Sequence, residues 1–137
     1  MRDPGAPTLR LVLVEDSADD ADLTQIELAE AGLDVACRRV EDEAGLREAL
    51  QAFPPDVVVS DLNLPGFSGE QALALVRELA PGVPFVYFSG QWPPQGMPRP
   101  NADGAGDDPR PLGADGYLLK TQWRELPDLV KRLARRA

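Results

Sequence analysis

The sequence contains no histidine and only one cysteine, Cys37. Because histidine is absent, a histidine acid–base catalyst, a histidine metal ligand and a phosphohistidine carrier are all excluded. One cysteine cannot form a disulfide within the chain, which suits a reducing compartment. We therefore expect a cytoplasmic protein whose chemistry depends on carboxylates, hydroxyls and lysines, with Cys37 a small core or half-buried residue.

Long apolar runs and positive charge are also scarce. No stretch approaches the roughly 20 apolar residues that a membrane-spanning helix needs, and residues 1–8 lack the apolar core of a signal peptide. Aspartate and glutamate outnumber lysine and arginine by 23 to 14, so the formal net charge is -9. An acidic surface repels phosphate backbones and anionic lipid, so we expect neither nucleic acid nor membrane as a partner.

What is present suits one folded domain. A chain of 137 residues with 43% hydrophobic residues is long and apolar enough to bury a single core. We predict a flexible N-terminus over residues 1–8 and one domain over residues 9–137.

Short apolar segments alternate with helical patterns along this domain. The predicted strands cover residues 9–14, 33–40, 56–60, 83–89 and 115–119. The predicted helices cover residues 18–31, 42–52, 69–80 and 127–136. Ser17 and Ser68 are suitable N-caps, and Gly32 is a suitable C-terminal stop. The alternation predicts an α/β fold with a doubly wound parallel sheet covered on both faces.

The segment between the last two predicted strands breaks this alternation. Residues 91–112 contain six prolines and three glycines, a spacing that strongly disfavours a helix. We predict an irregular Pro/Gly-rich segment in which Trp92 and Met97 fold back over the sheet. The alternative is that these two residues form an exposed docking site.

Polar residues follow the predicted strands where each strand ends. They are Glu15 and Asp16, then Asp61, Ser89 and Lys120. Because the carboxyl ends of parallel strands meet at one edge of a sheet, we expect these side chains to converge in one crevice.

The expected cluster combines three carboxylates with a lysine and a hydroxyl. Carboxylates gathered in one place repel one another, and a divalent cation such as Mg²⁺ relieves that repulsion. A lysine and a hydroxyl can neutralise charge on a transferring phosphoryl group. These are the parts needed for phosphoryl transfer to a carboxylate.

Four sequence blocks carry a resemblance to a known family. LVLVED at 11–16, VVVSDLNLPGFSG at 57–69, FSG at 88–90 and GADGYLLK at 113–120 resemble the receiver domains of bacterial response regulators. The resemblance implies a flavodoxin-like (βα)5 fold of the single-domain type, here with the fourth helix replaced by the irregular segment. The chain also departs from many receivers, because it has Thr121 where they have proline.

The resemblance implies a role for each polar residue. Asp61 is the expected phosphoacceptor, and Ser89 and Lys120 are expected to contact the phosphoryl group. Tyr117 is the expected switch aromatic, although plain packing remains an alternative for it.

The metal follows from the same resemblance. Glu15, Asp16 and Asp61 are expected to hold Mg²⁺ together with the backbone carbonyl of Asn63. Three further acids in the next helix, Asp19, Asp20 and Asp22, are expected only to complement the positive end of that helix.

The implied function is that of a phosphorylation-dependent signalling module in a two-component system. The implied partners are a sensor histidine kinase or phosphotransfer protein and a downstream protein target, with a homodimer possible. Such a domain is not an enzyme beyond its own phosphorylation and dephosphorylation. The alternative is a receiver-like interaction domain that does not switch. A phosphatase-like hydrolase is disfavoured because its second aspartate would fall at Asn63.

Overall fold

The computed structural model describes residues 8–61, 67–89 and 114–136. Within these ranges five parallel strands form one sheet in the order β2-β1-β3-β4-β5, so that β2 and β5 are its edges. The strands are β1 (Leu9–Val14), β2 (Val35–Val40), β3 (Val57–Ser60), β4 (Phe85–Ser89) and β5 (Gly116–Leu119). This order is the flavodoxin-like doubly wound topology, which confirms the predicted fold class.

Four α-helices accompany the strands in the described residues. They are α1 (Ala18–Glu30), α2 (Glu43–Ala52), α3 (Gly69–Leu79) and α4 (Leu126–Arg136). A 3₁₀ helix (Lys120–Glu125) joins β5 to α4 and was not predicted from the sequence.

The core lies on both faces of the sheet because successive strand residues point to opposite sides. Val12, Val14 and Val58 pack on one face with residues of α2 and α3. Leu11 and Leu13 pack on the other face with residues of α1 and α4. With both faces covered, the central strands read as continuous apolar runs rather than as alternating ones.

The predicted helix boundaries rest on specific hydrogen bonds. The hydroxyl of Ser17 accepts from the N–H of Asp20 at 3.2 Å. Ser68 and Gln71 form a reciprocal capping box at the start of α3. Gly32 ends α1 with a φ of 88°, a left-handed conformation that glycine adopts without strain. These three sequence predictions are confirmed.

The structure corrects several details. Strands β2 and β4 begin two residues later than predicted, because turns occupy the preceding positions. Before β2 the N–H of Leu33 donates to the carbonyl of Leu28, and before β4 the N–H of Val83 donates to the carbonyl of Ala80. In α3, Leu73 and Val76 are buried as predicted, whereas Leu79 is 36% exposed. Cys37 is half-buried in β2, as expected.

Some predictions concern residues outside the described ranges. They include the N-terminal residues 1–7, Asn63, and the whole of residues 91–112 with Trp92 and Met97. Among the described helices, none is long and apolar enough to cross a membrane.

Candidate functional site

The crevice at the carboxyl edge of the sheet is built by backbone hydrogen bonds that continue past the strand ends. The N–H of Glu15 donates to Val40 O at 2.9 Å, and the N–H of Asp61 donates to Val14 O at 3.0 Å. These bonds hold both acids in line with the sheet, one beside the other, on the neighbouring strands β1 and β3.

Three carboxylates meet at this edge. Glu15, Asp16 and Asp61 each offer an oxygen, and the three oxygens lie within 4.8 Å of one another. Glu15 is buried, Asp61 is partly buried, and Asp16 is exposed. Hard oxygen donors that open to solvent on one side are the ligands that Mg²⁺ prefers, because it retains several waters. The donor set therefore fits Mg²⁺.

Lys120 reaches into the same crevice from the start of the 3₁₀ helix. Its Nζ donates to Asp20 Oδ2 at 2.7 Å, to Glu15 Oε2 at 2.8 Å and to Asp61 Oδ2 at 3.3 Å. The structure thus brings together four of the residues that the sequence singled out: Glu15, Asp16, Asp61 and Lys120. Their roles remain predictions.

Asp20 is a residue of this crevice that sequence reasoning missed. Its carboxylate was expected only to complement the positive end of α1, but it makes the shortest contact of Lys120. The two residues are 100 positions apart in the chain. No local pattern joins them, because their approach depends on how the 3₁₀ helix lies against α1.

Burial and charge act in opposite directions on the pKa values of this cluster. Burial raises the pKa of Glu15, and the hydrogen bonds from Lys120 and from the Ser17 N–H offset this only in part. Burial acts to lower the pKa of Lys120. Its hydrogen bonds to Asp20 and Glu15, with the charge of Asp61, outweigh that effect and raise the pKa. Lys120 is therefore a fixed positive charge at neutral pH.

Two further predicted residues lie on the strands next to the crevice. Ser89 is the last residue of β4 and pairs with Leu119 of β5, so its backbone lies at the same edge of the sheet. Tyr117 pairs with Tyr87 and is half-buried. Burial raises the pKa of Tyr117 to about 12, and the charge of Asp61 adds to this. Tyr117 therefore lies within electrostatic reach of Asp61.

The strand order and the acidic crevice define a class of doubly wound α/β domain with three clustered carboxylates at the carboxyl ends of its strands. The family described as "Response regulator receiver domain" matches residues 11–107, which is more than half of the chain. The protein belongs to this family, and it is a receiver domain of the kind found in two-component response regulators.

Curated relatives match over part of their length. The protein-glutamate methylesterase/protein-glutamine glutaminase 6 of Anaeromyxobacter dehalogenans (strain 2CP-C) is 40% identical over 85 residues, which are 61% of this chain and 24% of that protein. The DNA-binding transcriptional regulator NtrC of Escherichia coli (strain K12) is 32% identical over 72 residues, which are 52% of this chain and 15% of NtrC. The chain therefore spans a quarter or less of these relatives.

A solved structure supports the fold. The receiver domain of the Francisella response regulator 1452 superposes with a TM-score of 0.70 at 20% identity, covering 94% of this chain and 98% of that one. At this identity the likeness shows the architecture alone.

Proposed function

We propose that this receiver domain accepts a phosphoryl group on Asp61 from a partner histidine kinase or phosphotransfer protein, in a reaction that depends on Mg²⁺. One observation carries the proposal. The oxygens of Glu15, Asp16 and Asp61 gather within 4.8 Å, and the ammonium of Lys120 lies 3.3 Å from the Asp61 carboxylate. This cluster combines a nucleophile, a set of metal ligands and a fixed positive charge.

The metal would be held by Glu15, Asp16 and Asp61, with the predicted help of the Asn63 backbone carbonyl. When bound, Mg²⁺ supplies positive charge that offsets the repulsion among the carboxylates and the charge of a phosphoryl oxygen. Asp16 is the exposed member of the three, so it would be the ligand most open to a cation that keeps several waters.

Asp61 would act as the nucleophile. A carboxylate oxygen of Asp61 attacks the phosphorus of a phosphorylated histidine on the donor protein. The phosphorus–nitrogen bond breaks, and its electron pair stays with the imidazole of that histidine, which takes a proton from water. Asp61 itself gives up no proton, because it reacts as the carboxylate. Lys120 would neutralise charge on the transferring group, since it stays protonated.

The proposal extends to the neighbours of Asp61. Ser89 would donate a hydrogen bond to the phosphoryl group, and Tyr117 would report its presence through its rotamer. The resulting change would be read by a downstream protein target. The domain would catalyse only its own phosphorylation and dephosphorylation, and a cytoplasmic location stays a prediction.

Incubation with acetyl phosphate tests this function directly. With Mg²⁺, intact-mass spectrometry should show the addition of one phosphoryl group, and chelation of the metal should abolish it. Asp61→Asn should show no addition. Asp56→Asn is the matched control, since Asp56 is an exposed aspartate at the other end of β3, and it should behave as the unmodified protein.

The same experiment separates the competing function. If the unmodified protein shows no Mg²⁺-dependent addition and no Mg²⁺-dependent spectral response to beryllofluoride, the phosphoacceptor proposal is wrong. A receiver-like interaction domain that does not switch would then be the better description.

A further inference from the structure

The ammonium of Lys120 is shared among three carboxylates. Within the described part of the chain its Nζ donates hydrogen bonds to Asp20, Glu15 and Asp61. An ammonium has three N–H donors, so these contacts commit all of them. A phosphoryl oxygen at Asp61 would therefore draw the ammonium toward Asp61 and away from its two other partners.

The three contacts are unequal in length. The contacts to Asp20 at 2.7 Å and to Glu15 at 2.8 Å have the length of strong charge-assisted hydrogen bonds. The contact to Asp61 at 3.3 Å is longer than that range. Lys120 is therefore held closer to the two carboxylates of the β1–α1 region than to the predicted phosphoacceptor.

The two short contacts differ in how easily they can break. The side chain of Glu15 is only 5% exposed, so losing Lys120 would leave a buried carboxylate without its counter-charge. The side chain of Asp20 is 44% exposed. It borders a groove of about 330 Å³ between α1 and the 3₁₀ helix, where Leu23 and Trp123 also lie. Water in this groove can solvate the Asp20 carboxylate once Lys120 leaves.

We propose that Asp20 is a positioning residue that restrains Lys120 away from Asp61 in the unphosphorylated domain and releases it when a phosphoryl group is present. This inference rests on the proposed function, because it concerns the state of the same acceptor. Phosphorylation adds negative charge and acceptor oxygens at Asp61. The ammonium of Lys120 then gains a more strongly charged partner at Asp61. It loses the contact with Asp20, which breaks more easily than the contact with the buried Glu15.

The consequence is a free-energy cost that opposes the phosphorylated state. The attraction between Lys120 and the phosphoryl group is partly offset by the loss of the contact with Asp20. Removing the Asp20 carboxylate should therefore favour the phosphorylated state rather than impair it, which distinguishes a restraint from a supporting role.

A titration with beryllofluoride in the presence of Mg²⁺, monitored by ¹H–¹⁵N NMR spectra, measures this cost as a dissociation constant. Asp20→Asn should lower the dissociation constant for beryllofluoride about three- to tenfold, the range expected when a charge-assisted hydrogen bond no longer competes. Asp20→Glu keeps a carboxylate and should stay within about twofold of the unmodified protein.

Asp19→Asn is the matched control, because Asp19 is exposed in the same first turn of α1 and carries the same charge. It should change the dissociation constant by less than about twofold. Equal effects of Asp19→Asn and Asp20→Asn would overturn the inference, since they would reveal only the loss of net charge. Weaker binding by Asp20→Asn would also overturn it.

A second readout keeps the two proposals separate. If the unmodified protein binds no beryllofluoride in Mg²⁺, the proposed function fails. The restraint is then judged on the metal-free protein from the ¹⁵Nζ signal of Lys120. That signal should shift in Asp20→Asn and stay in place in Asp19→Asn; an unchanged signal in both variants would overturn the inference. Asparagine has the shape of aspartate, and the Ser17 cap bonds to the backbone N–H at position 20, so folding is retained.

Discussion

The guanidinium of Arg77 lies 2.8 Å from Asp115 Oδ2, and the same oxygen accepts the N–H of Phe85 at 2.8 Å. A second nitrogen of Arg77 donates to Val83 O at 3.0 Å. The N–H of Asp115 donates in turn to Phe85 O at 2.9 Å. One ion pair thus joins α3 to the starts of β4 and β5, at the end of the sheet opposite the acidic crevice.

Asp115→Ala should lower the free energy of unfolding by about 1–3 kcal/mol. The pair with Arg77 is partly exposed and worth little by itself, but the variant also leaves the N–H of Phe85 without its acceptor. Urea denaturation measures the change. The control is Arg47→Met, which removes an exposed pair with Glu43 on α2 and should cost about 0.5 kcal/mol or less. Equal costs for the two variants would contradict the role given to Asp115.

Tyr87→Phe should stabilise the domain by about 1 kcal/mol or more. The ring of Tyr87 is fully buried in the described part of the structure, and its hydroxyl has no hydrogen-bond partner there. Phenylalanine removes the hydroxyl and keeps the edge-to-face contact with Phe85 at 5.1 Å. The check is a higher urea midpoint with an unchanged denaturant dependence. A less stable variant would show that the hydroxyl has a partner beyond the described residues.

Cys37 should react slowly with iodoacetamide in the folded protein. Burial raises the pKa of its thiol from 9.0 to about 11, so at pH 8 only about one thousandth of the thiol is the reactive thiolate. The rate should rise about tenfold for each pH unit between pH 7 and 9. Urea-unfolded protein is the control and should react about a hundredfold faster, since its thiol returns to the ordinary pKa. Equal rates in both states would contradict the burial of this thiol.

Lys120→Met should tighten Mg²⁺ binding several-fold. The variant removes the positive charge that now neutralises Glu15, Asp20 and Asp61, so the carboxylates attract a cation more strongly. Isothermal titration calorimetry measures the dissociation constant. Lys131→Met removes the same charge from an exposed position on α4 and should leave it nearly unchanged. Weaker binding by Lys120→Met would argue against the proposed metal site.

The fold was largely predictable because its signals are local. Short apolar runs locate the strands, and Ser17, Ser68 and Gly32 mark helix ends through hydrogen bonds and a backbone conformation that involve only nearby residues. The 3₁₀ helix was missed because its N-cap is Leu119, an apolar residue that makes no side-chain capping hydrogen bond.

The candidate site was predictable only where it depends on strand ends. Glu15, Asp16 and Asp61 follow β1 and β3 directly, so the parallel sheet alone brings them together. Asp20 belongs to the turn of a helix, and its contact with Lys120 depends on tertiary packing across 100 residues. Outside the candidate site, Asp115 was missed for the same reason. Its carboxylate joins α3 to the starts of β4 and β5, and no sequence pattern links these segments.

The edge strand β2 has a consequence for how the molecules behave in concentrated solution. An uncovered edge strand offers unpaired backbone groups to a neighbouring chain, and charged side chains discourage that pairing. β2 carries the exposed residues Arg38 and Arg39. Arg39 is also anchored to Glu15 O at 3.1 Å and to Glu41 at 2.9 Å. The two arginines on β2 should therefore disfavour pairing between the edge strands of two copies of the domain. Replacing both with threonine should promote aggregation.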